Sequence, residues 1–136
     1  MERPTFSSVA TWDDVRRIAL ALPETAERSP GDWRVHGKLF VWERPLRKAD
    51  HAALGDKAPK GPILGIRVEH EGIKEALLAS DPGVYFTTPH FNGYPALLVR
   101  LAQISVEELE DVIVDSWLVQ APKRTVKAYL ATHGDR

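Results

Sequence analysis

The chain has 136 residues, 43% hydrophobic and 27% charged, values that fit one globular domain with its own core. It contains no cysteine, which excludes disulfide bonds, thiolate metal sites and a cysteine nucleophile. The net charge of −1 is not the strongly basic balance of an obvious nucleic-acid-binding protein. No apolar run approaches the ~20 residues of a membrane-spanning helix, and residues 1–5 lack the apolar core of a signal peptide, so we expect a cytoplasmic protein.

The first predicted element is an amphipathic helix. Thr11 can cap its N-terminus, Asp14 stands where a capping box places its second residue, and Pro23 ends it. Apolar residues recur at the i, i+3, i+4, i+7 spacing of one helix face: Val15, Ile18, Ala19 and Leu22. Residues 23–32 are polar with two prolines and are predicted to form a loop.

A β-hairpin, a long loop and a third strand are predicted next. Residues 33–35 and 38–42 are rich in β-branched and aromatic side chains, and Gly37 between them can take the positive φ of a tight turn. Residues 43–61 are charged and contain prolines and glycines, which predicts a loop that is unusually long for a compact domain. Residues 63–68 then form a third strand.

A short helix and a second hairpin follow. Residues 71–79 carry one apolar helical face, and the strands of the hairpin span 84–87 and 96–101. The connecting loop is aromatic, and its Asn92-Gly93 pair is a strong turn signal.

Two helices end the chain. Ser105 and Glu108 match the S-x-x-E capping box before an apolar face that runs to Trp117, while five acidic residues lie mostly on the opposite face. Pro122 suits the first turn of the last helix, and Gly134 suits its end.

The resulting order is α-βββ-α-ββ-α-α. It predicts an α+β fold, a five-stranded, mostly antiparallel sheet with helices on one face. Residues 1–10 are predicted to be a flexible N-terminal arm and residues 11–136 a single domain.

No catalytic or metal-binding constellation is evident. The stretch from Gly31 to Lys38 differs from a phosphate loop because five residues separate its glycines, and Leu39 replaces the hydroxyl residue that would hold Mg²⁺. The five histidines form no H-x-x-x-H or H-x-H pair. We therefore expect a protein that is not an enzyme and that has no metal site and no cofactor.

Charge is unevenly distributed along the chain. Residues 34–60 hold seven basic and three acidic residues, and residues 101–122 hold five acidic residues and no basic one. Lys123 and Arg124 open the last helix, where cations oppose the helix dipole and an anionic partner such as a DNA phosphate would relieve that cost. Both basic segments can also be simply solvated, as most charge runs are.

The tip of the second hairpin, His90 to Tyr94, is aromatic. Exposed rings there could stack on bases or enter a groove. In the alternative that we favour for at least one of them, Phe91 or Tyr94 caps the edge of the core.

Six motifs along the chain form one combined pattern: Leu20-Ala21-Leu22-Pro23-Glu24-Thr25, Val35-His36-Gly37-Lys38-Leu39-Phe40, Leu77-Leu78-Ala79-Ser80-Asp81-Pro82-Gly83-Val84-Tyr85-Phe86, Ala96-Leu97-Leu98-Val99-Arg100-Leu101, Asp115-Ser116-Trp117 and Ala121-Pro122-Lys123-Arg124. Through these motifs the chain resembles the MmcQ/YjbR family of small bacterial proteins over about residues 11–130. The resemblance implies a CyaY/frataxin-like fold described as a double wing, with two β-hairpins, and it implies DNA binding. No catalytic residues come with it.

Three functional hypotheses follow. The leading one is a non-enzymatic DNA-binding protein that contacts phosphates through Lys38, Arg44, Arg47, Lys48, Lys123 and Arg124. We expect it to be a monomer, with a dimer as the alternative. The alternative function is a binding module for a small ligand or drug, with a pocket near the 88–95 loop formed by Tyr85, Phe91, Tyr94 and Trp117. Metal handling by analogy with frataxin is disfavoured because the first helix has only Asp13 and Asp14 as acids, next to Arg16 and Arg17.

Overall fold

In the computed structural model, which describes residues 9–134, the chain forms a six-stranded antiparallel sheet and five α-helices. The helices are α1 (Trp12–Ala21), α2 (Lys48–Leu54), α3 (Glu71–Ser80), α4 (Val106–Gln120) and α5 (Lys123–His133). The strands are β1 (Thr25–Ser29), β2 (Asp32–Val35), β3 (Lys38–Glu43), β4 (Ile63–Arg67), β5 (Tyr85–Phe86) and β6 (Ala96–Arg100). Their order across the sheet is β1-β2-β3-β4-β6-β5.

The predicted α+β class is confirmed, but the predicted strand count and element order are wrong in two places. β1 lies within the predicted loop 23–32, and α2 lies within the predicted loop 43–61. β1 is a sheet-edge strand of mostly exposed polar residues, so it lacks the apolar alternation that signals a strand. α2 has seven residues and its one buried residue is Asp50, so it shows no apolar period.

The first face of the sheet carries the larger core. α4 packs across β3 and β4, and α1 packs against α4 and β1. Trp33 of β2 and Trp117 of α4 are completely buried there, and the Trp117 indole N–H donates to the Pro23 carbonyl at 3.1 Å. This layer is the one that the amphipathic periods of the sequence predict.

The second face of the sheet is also covered, which corrects the prediction of helices on one face. A smaller cluster of buried residues lies there, formed by Ile63, Phe86, Phe91, Ala96 and Leu98. Leu46, Leu54 of α2 and Trp42 of β3 pack against it. Phe91 belongs to the aromatic loop, which we define as residues 87–95 between β5 and β6. The aromatic loop and α2 together therefore cover this face.

The two predicted capping boxes form differently. At α1, the Thr11 hydroxyl accepts from the Asp14 N–H and the Asp14 carboxylate accepts from the Thr11 N–H, so the box is complete. At α4, the Ser105 hydroxyl accepts from the Glu108 N–H, but the Glu108 carboxylate accepts from the buried Tyr85 hydroxyl. Burial, and then the nearby Glu108 carboxylate, raise the pKa of Tyr85 well above its usual value, so Tyr85 remains the donor.

The start of the described chain is attached to the domain. Val9 pairs with Ser105, and the buried Ala10 donates its N–H to the Ile104 carbonyl at 3.2 Å. The rest of the predicted arm, residues 1–8, lies outside the described residues.

Replacing Gly65 of β4 by alanine is expected to lower the free energy of unfolding by about 1–3 kcal/mol, because the added methyl overpacks the sheet. A Cβ at this position would lie 2.6 Å from Cζ2 and 2.7 Å from Nε1 of Trp42, so the indole must move. Urea denaturation of the two proteins measures the difference. Gly61→Ala is the matched control, because its Cβ would meet only Ala102 at an ordinary 3.8 Å. Equal losses in the two variants would contradict the prediction.

Candidate anion-binding cleft

A cleft of about 690 Å³ lies on the second face of the sheet, between the aromatic loop and the segment from β3 to α2. We call it the arginine cleft. Its polar lining residues are Glu43, Arg44, Arg47, Arg67, His90 and Gln120. Aromatic and aliphatic side chains, including Trp42, Phe91 and Tyr94, form the rest of its wall. Three arginines against one carboxylate give the lining a positive character, and the volume falls in the range of small-molecule sites.

The aromatic loop is folded back onto the sheet. Phe91 is only 4% exposed, whereas Tyr94 is 46% exposed. The prediction that at least one of these rings caps the core is therefore confirmed for Phe91. Asn92 (φ −60°, ψ 130°) and Gly93 (φ +75°) form a type II turn, which the Tyr94 N–H closes on the Phe91 carbonyl at 3.0 Å.

A buried lysine from α3 holds this turn. Lys74 is 5% exposed, and its ammonium donates to the carbonyls of Phe91 at 2.6 Å and Tyr94 at 3.0 Å. The Glu71 carboxylate lies 3.5 Å from the same nitrogen. The loop that forms one wall of the arginine cleft is thus fixed from below by a charged donor.

Arg44 is the buried cation of the cleft. It is 4% exposed, its Nη1 lies 2.9 Å from the Asp50 carboxylate, and its Cζ stands 5.3 Å from the centre of the Phe91 ring. Its Nη2 is buried and has no hydrogen-bond partner among the described residues. Burial alone would raise the pKa of Asp50, but the Arg47 N–H and the Arg44 guanidinium outweigh it and lower that pKa below its usual value.

Arg67, at the end of β4, forms a second cationic wall of the cleft. Its Cζ lies 5.1 Å from the centre of the Tyr94 ring, and its Nη1 donates to the Tyr94 hydroxyl at 3.3 Å. Its Nε is buried and, within residues 9–134, has no hydrogen-bond partner. Arg44 and Arg67 both line the cleft, and each has one buried guanidinium N–H group without a partner among the described residues.

The turn between β2 and β3 lies against the start of α5. His36 and Gly37 both have positive φ, as a two-residue type I′ turn requires, which confirms the predicted hairpin. The Glu24 carboxylate contacts the His36 ring, accepts from the Thr125 hydroxyl at 3.2 Å and lies 4.0 Å from Arg124. The pKa of Glu24 is lowered, chiefly by the His36 contact.

A second contact joins the β2–β3 hairpin to the end of α4. The Gln120 side chain, at the end of α4, donates to the Leu39 carbonyl at 3.0 Å. This places Lys38 beside the α4–α5 junction, where Lys123 and Arg124 are both exposed. Gln120 and Arg47 line the same cleft. The basic segment around Arg47 and the basic residues at the α4–α5 junction therefore approach one side of the domain.

Of the residues predicted to contact phosphates, Arg44 is the one whose position in the structure does not suit that role. It is buried and paired with Asp50, so it has no surface on which to meet a DNA backbone. Lys38, Arg47, Lys48, Lys123 and Arg124 are all exposed.

The predicted ligand pocket does not form from its four residues. Tyr85 and Trp117 are buried in the core of the first face, whereas Phe91 and Tyr94 lie on the second face at the arginine cleft. The reason is the alternation of a strand, which sends Tyr85 and the following Phe86 to opposite faces. Only Phe91 and Tyr94 share a cavity.

Three residues that form or support the cleft were not among the predicted site residues: Asp50, Arg67 and Lys74. Asp50 carried a signal, since a carboxylate three residues after Arg47 can cap a helix start, and its side chain does accept the Arg47 N–H at 2.8 Å. Lys74 and Arg67 carried none, because their partners lie 17 to 27 residues away along the chain.

Two further observations concern the described part of the chain. Within residues 9–134, no three histidine or carboxylate side chains converge in an arrangement that could hold a metal ion. No helix in that range is both long and apolar enough to cross a membrane.

The sheet, its helices and the arginine cleft define a small α+β domain with a polar site beneath an aromatic loop. The YjbR family model matches residues 20–119, so the chain belongs to the YjbR family, as the motifs indicated. It is 60% identical to the uncharacterized proteins Rv2570 of Mycobacterium tuberculosis and Mb2600 of Mycobacterium bovis over 129 residues, which is 93% of this chain and 100% of each relative.

A solved structure supports the fold. The crystal structure of protein DR2400 of Deinococcus radiodurans, with a DUF419 domain, matches with a TM-score of 0.62 and 20% sequence identity. The match covers 94% of this chain and 91% of the other, and it shows a related fold.

Proposed function

We propose that this YjbR-family protein is a non-enzymatic, cytoplasmic DNA-binding protein that contacts the phosphate backbone. The proposed contacts are Lys38, Arg47, Lys48, Lys123 and Arg124. Such contacts supply sequence-independent affinity and position the protein on a duplex, without reading bases.

The observation that carries the proposal is the junction between the β2–β3 turn and the start of α5. Gln120 binds the Leu39 carbonyl, and Glu24 contacts both His36 and Thr125, so residues far apart in sequence are brought together. Lys38 from the turn and Lys123 from the helix can then meet the same anionic partner. Arg47 and Lys48 extend this surface through the arginine cleft, whose wall includes both Arg47 and Gln120.

The electrostatics of α5 support an anionic partner. Its first turn holds Lys123 and Arg124 and no acidic residue, and its N-cap is Pro122, which forms no side-chain cap. The helix dipole places partial positive charge at this end, so the two cations raise the local potential further. Glu24 offsets part of this potential near Arg124, at 4.0 Å. A DNA phosphate would complete the neutralisation.

The two hairpins would act as the wings of the proposed double-wing arrangement. The β2–β3 hairpin presents its exposed turn and Lys38. In the β5–β6 hairpin the aromatic loop is folded onto the sheet, and it presents Tyr94 rather than an extended aromatic tip. This wing therefore contacts the partner by its side and not by a wedge between bases.

Fluorescence anisotropy with a labelled DNA duplex at several salt concentrations tests the proposal. Five phosphate contacts on B-DNA predict that the logarithm of the affinity falls with the logarithm of the salt concentration with a slope no steeper than about −4.5. Because each lost contact removes nearly one unit, Lys123→Ala with Arg124→Ala should flatten that slope by about 2 and weaken binding at low salt.

The matched control is Arg28→Ala. Arg28 is an exposed arginine of β1, at the sheet edge that lies away from the cleft. Affinity no better than ~1 mM at low salt, or an equal effect of the control and the double variant, would contradict the proposal.

A further inference from the structure

We propose that the arginine cleft also binds a small organic oxyanion, a carboxylate or a phosphate, attached to a planar ring. Arg47 belongs to both this cleft and the proposed DNA-contact set. The two proposals can still be tested apart, since the residue on which this test depends, Arg67, is outside the proposed phosphate-contact set.

The anionic part of the ligand is inferred from two arginines that line the cleft, the buried Arg44 and the half-buried Arg67. Arg44 Nη2 and Arg67 Nε are both buried, both lack a hydrogen-bond partner among residues 9–134, and both residues line the cleft. Leaving a buried N–H of a cation without an acceptor costs more free energy than leaving a neutral N–H without one, because hydrogen bonds to charged groups are stronger. The Arg67 guanidinium is accessible at the end that donates to the Tyr94 hydroxyl, so an oxyanion in the cleft can bind there, and a small movement of the side chain would bring it to Nε.

The charges around the cleft favour the same class of ligand. Asp50 neutralises Arg44 through a single nitrogen, Nη1, and Asp50 does not itself line the cleft. Arg47 and Arg67 then leave the lining positive against Glu43, the one acidic lining residue within positions 9–134. A planar guanidinium with parallel donors suits carboxylate and phosphate oxygens, which accept such donors in pairs.

The ring of the ligand is inferred from the aromatic walls. Tyr94 is 46% exposed although its ring is held against the Arg67 guanidinium, and Trp42 is half-buried on the β3 side. Both line the cleft together with His90. A flat ring stacked on an exposed aromatic surface would bury area that water now covers, and the oxyanion would fix its direction.

The cleft is also preorganised. Lys74 holds both ends of the type II turn in the aromatic loop, and Asp50 holds Arg44. A ligand therefore need not order these walls when it binds, which lowers the entropic cost of association.

Titration of the isotope-labelled protein, followed by amide NMR shifts, tests the proposal with three matched probes. Benzoate and phenyl phosphate carry the same ring with the two kinds of oxyanion, and benzyl alcohol carries it without charge. We expect saturable shifts near Leu39, His90 and Tyr94 with at least one of the anions, and at least tenfold weaker binding of benzyl alcohol. The two anionic probes also decide between carboxylate and phosphate.

Arg67→Gln should weaken binding of the preferred anion about tenfold or more, since a charged hydrogen bond contributes about 1.5–3 kcal/mol. Arg28→Gln is the control and should leave it unchanged. Arg67→Gln keeps every proposed DNA contact, so its anisotropy with duplex DNA should also be unchanged, which separates the two proposals.

Three results would overturn the inference. One is the absence of any saturable shift up to about 10 mM of either anion, well above the ~1 mM dissociation constant of a weak specific site. Another is shifts that follow the exposed lysines rather than the cleft. The third is equal binding of the anions by the Arg67→Gln and Arg28→Gln proteins.

Discussion

Replacing Asp50 by alanine is expected to lower the free energy of unfolding by about 3–5 kcal/mol, because it leaves Arg44 as an uncompensated buried charge. Arg44 and Asp50 are 4% and 3% exposed, and they form an ion pair with 2.9 Å between Nη1 of Arg44 and the Asp50 carboxylate. Asp50 also accepts the Arg47 N–H at the start of α2, so the short helix loses its cap as well. Urea denaturation of wild type and variant measures the loss.

The double variant Arg44→Met with Asp50→Leu shows whether the charge is responsible. Removing both partners should recover most of the stability, since well-packed apolar residues often replace a buried pair at little cost. Asp56→Ala, at an exposed position in the following turn, should change stability by less than about 0.5 kcal/mol. A loss in Asp50→Ala no larger than in Asp56→Ala would contradict the prediction.

The pH dependence of stability gives the same interaction a second readout. The pKa of Asp50 is lower in the folded protein than its usual value near ~3.9, so the stability it contributes is complete above that value. This contribution is lost as the pH falls through the folded-state pKa. The difference in stability between wild type and Asp50→Ala should therefore shrink in acid.

Replacing Lys74 by methionine is expected to lower the free energy of unfolding by about 3 kcal/mol, because two charge-assisted hydrogen bonds are lost, one to a buried and one to a partly buried carbonyl. The Phe91 and Tyr94 carbonyls would both lose the ammonium that now holds them. Methionine keeps much of the volume of the lysine stem, so the loss reports the charge and its bonds rather than a cavity. Urea denaturation measures the stability, and amide hydrogen exchange measures the loop.

The aromatic loop should show the local effect. In Lys74→Met, the hydrogen-exchange rates of the amides of residues 87–95 should rise by a larger factor than those of the α1 amides, because the lost Lys74 hydrogen bonds act on the loop. Lys57→Met, at an exposed lysine after α2, is the control and should alter neither. Loop exchange that rises no more than exchange in α1 would show that Lys74 stabilises the domain as a whole and does not fix the cleft wall.

Much of the fold can be predicted from the sequence where its signals are local. The capping residue Thr11, the apolar spacing of the first helix and the turn at Gly37 are each decided within a few residues, and the structure confirms them. β1 could not be predicted in this way. Its residues are mostly exposed, and they become a strand because β2 offers them a partner.

The candidate site likewise has one part that local sequence signals predict and another that depends on tertiary contacts. The aromatic loop was evident in the sequence, because Asn92 and Gly93 encode their own turn. The role of each arginine was not, because Arg44, Arg47 and Arg67 are alike as sequence letters. Burial beside Asp50 makes the first an internal ion pair, exposure leaves the second on the surface, and the Tyr94 ring holds the third.

The sequence by itself determined the family, the α+β class and most of the helices and hairpins, since short-range periodicity, caps and turn residues are written within a few positions. The tertiary structure alone decided which face of the sheet each side chain joins, and thus that Tyr85 and Trp117 enter one core while Phe91 and Tyr94 border the cleft. The physical reason is that burial and charge pairing depend on neighbours distant in the chain. Lys74, which reaches across to Phe91 and Tyr94, acquires its role only when the sheet brings them together.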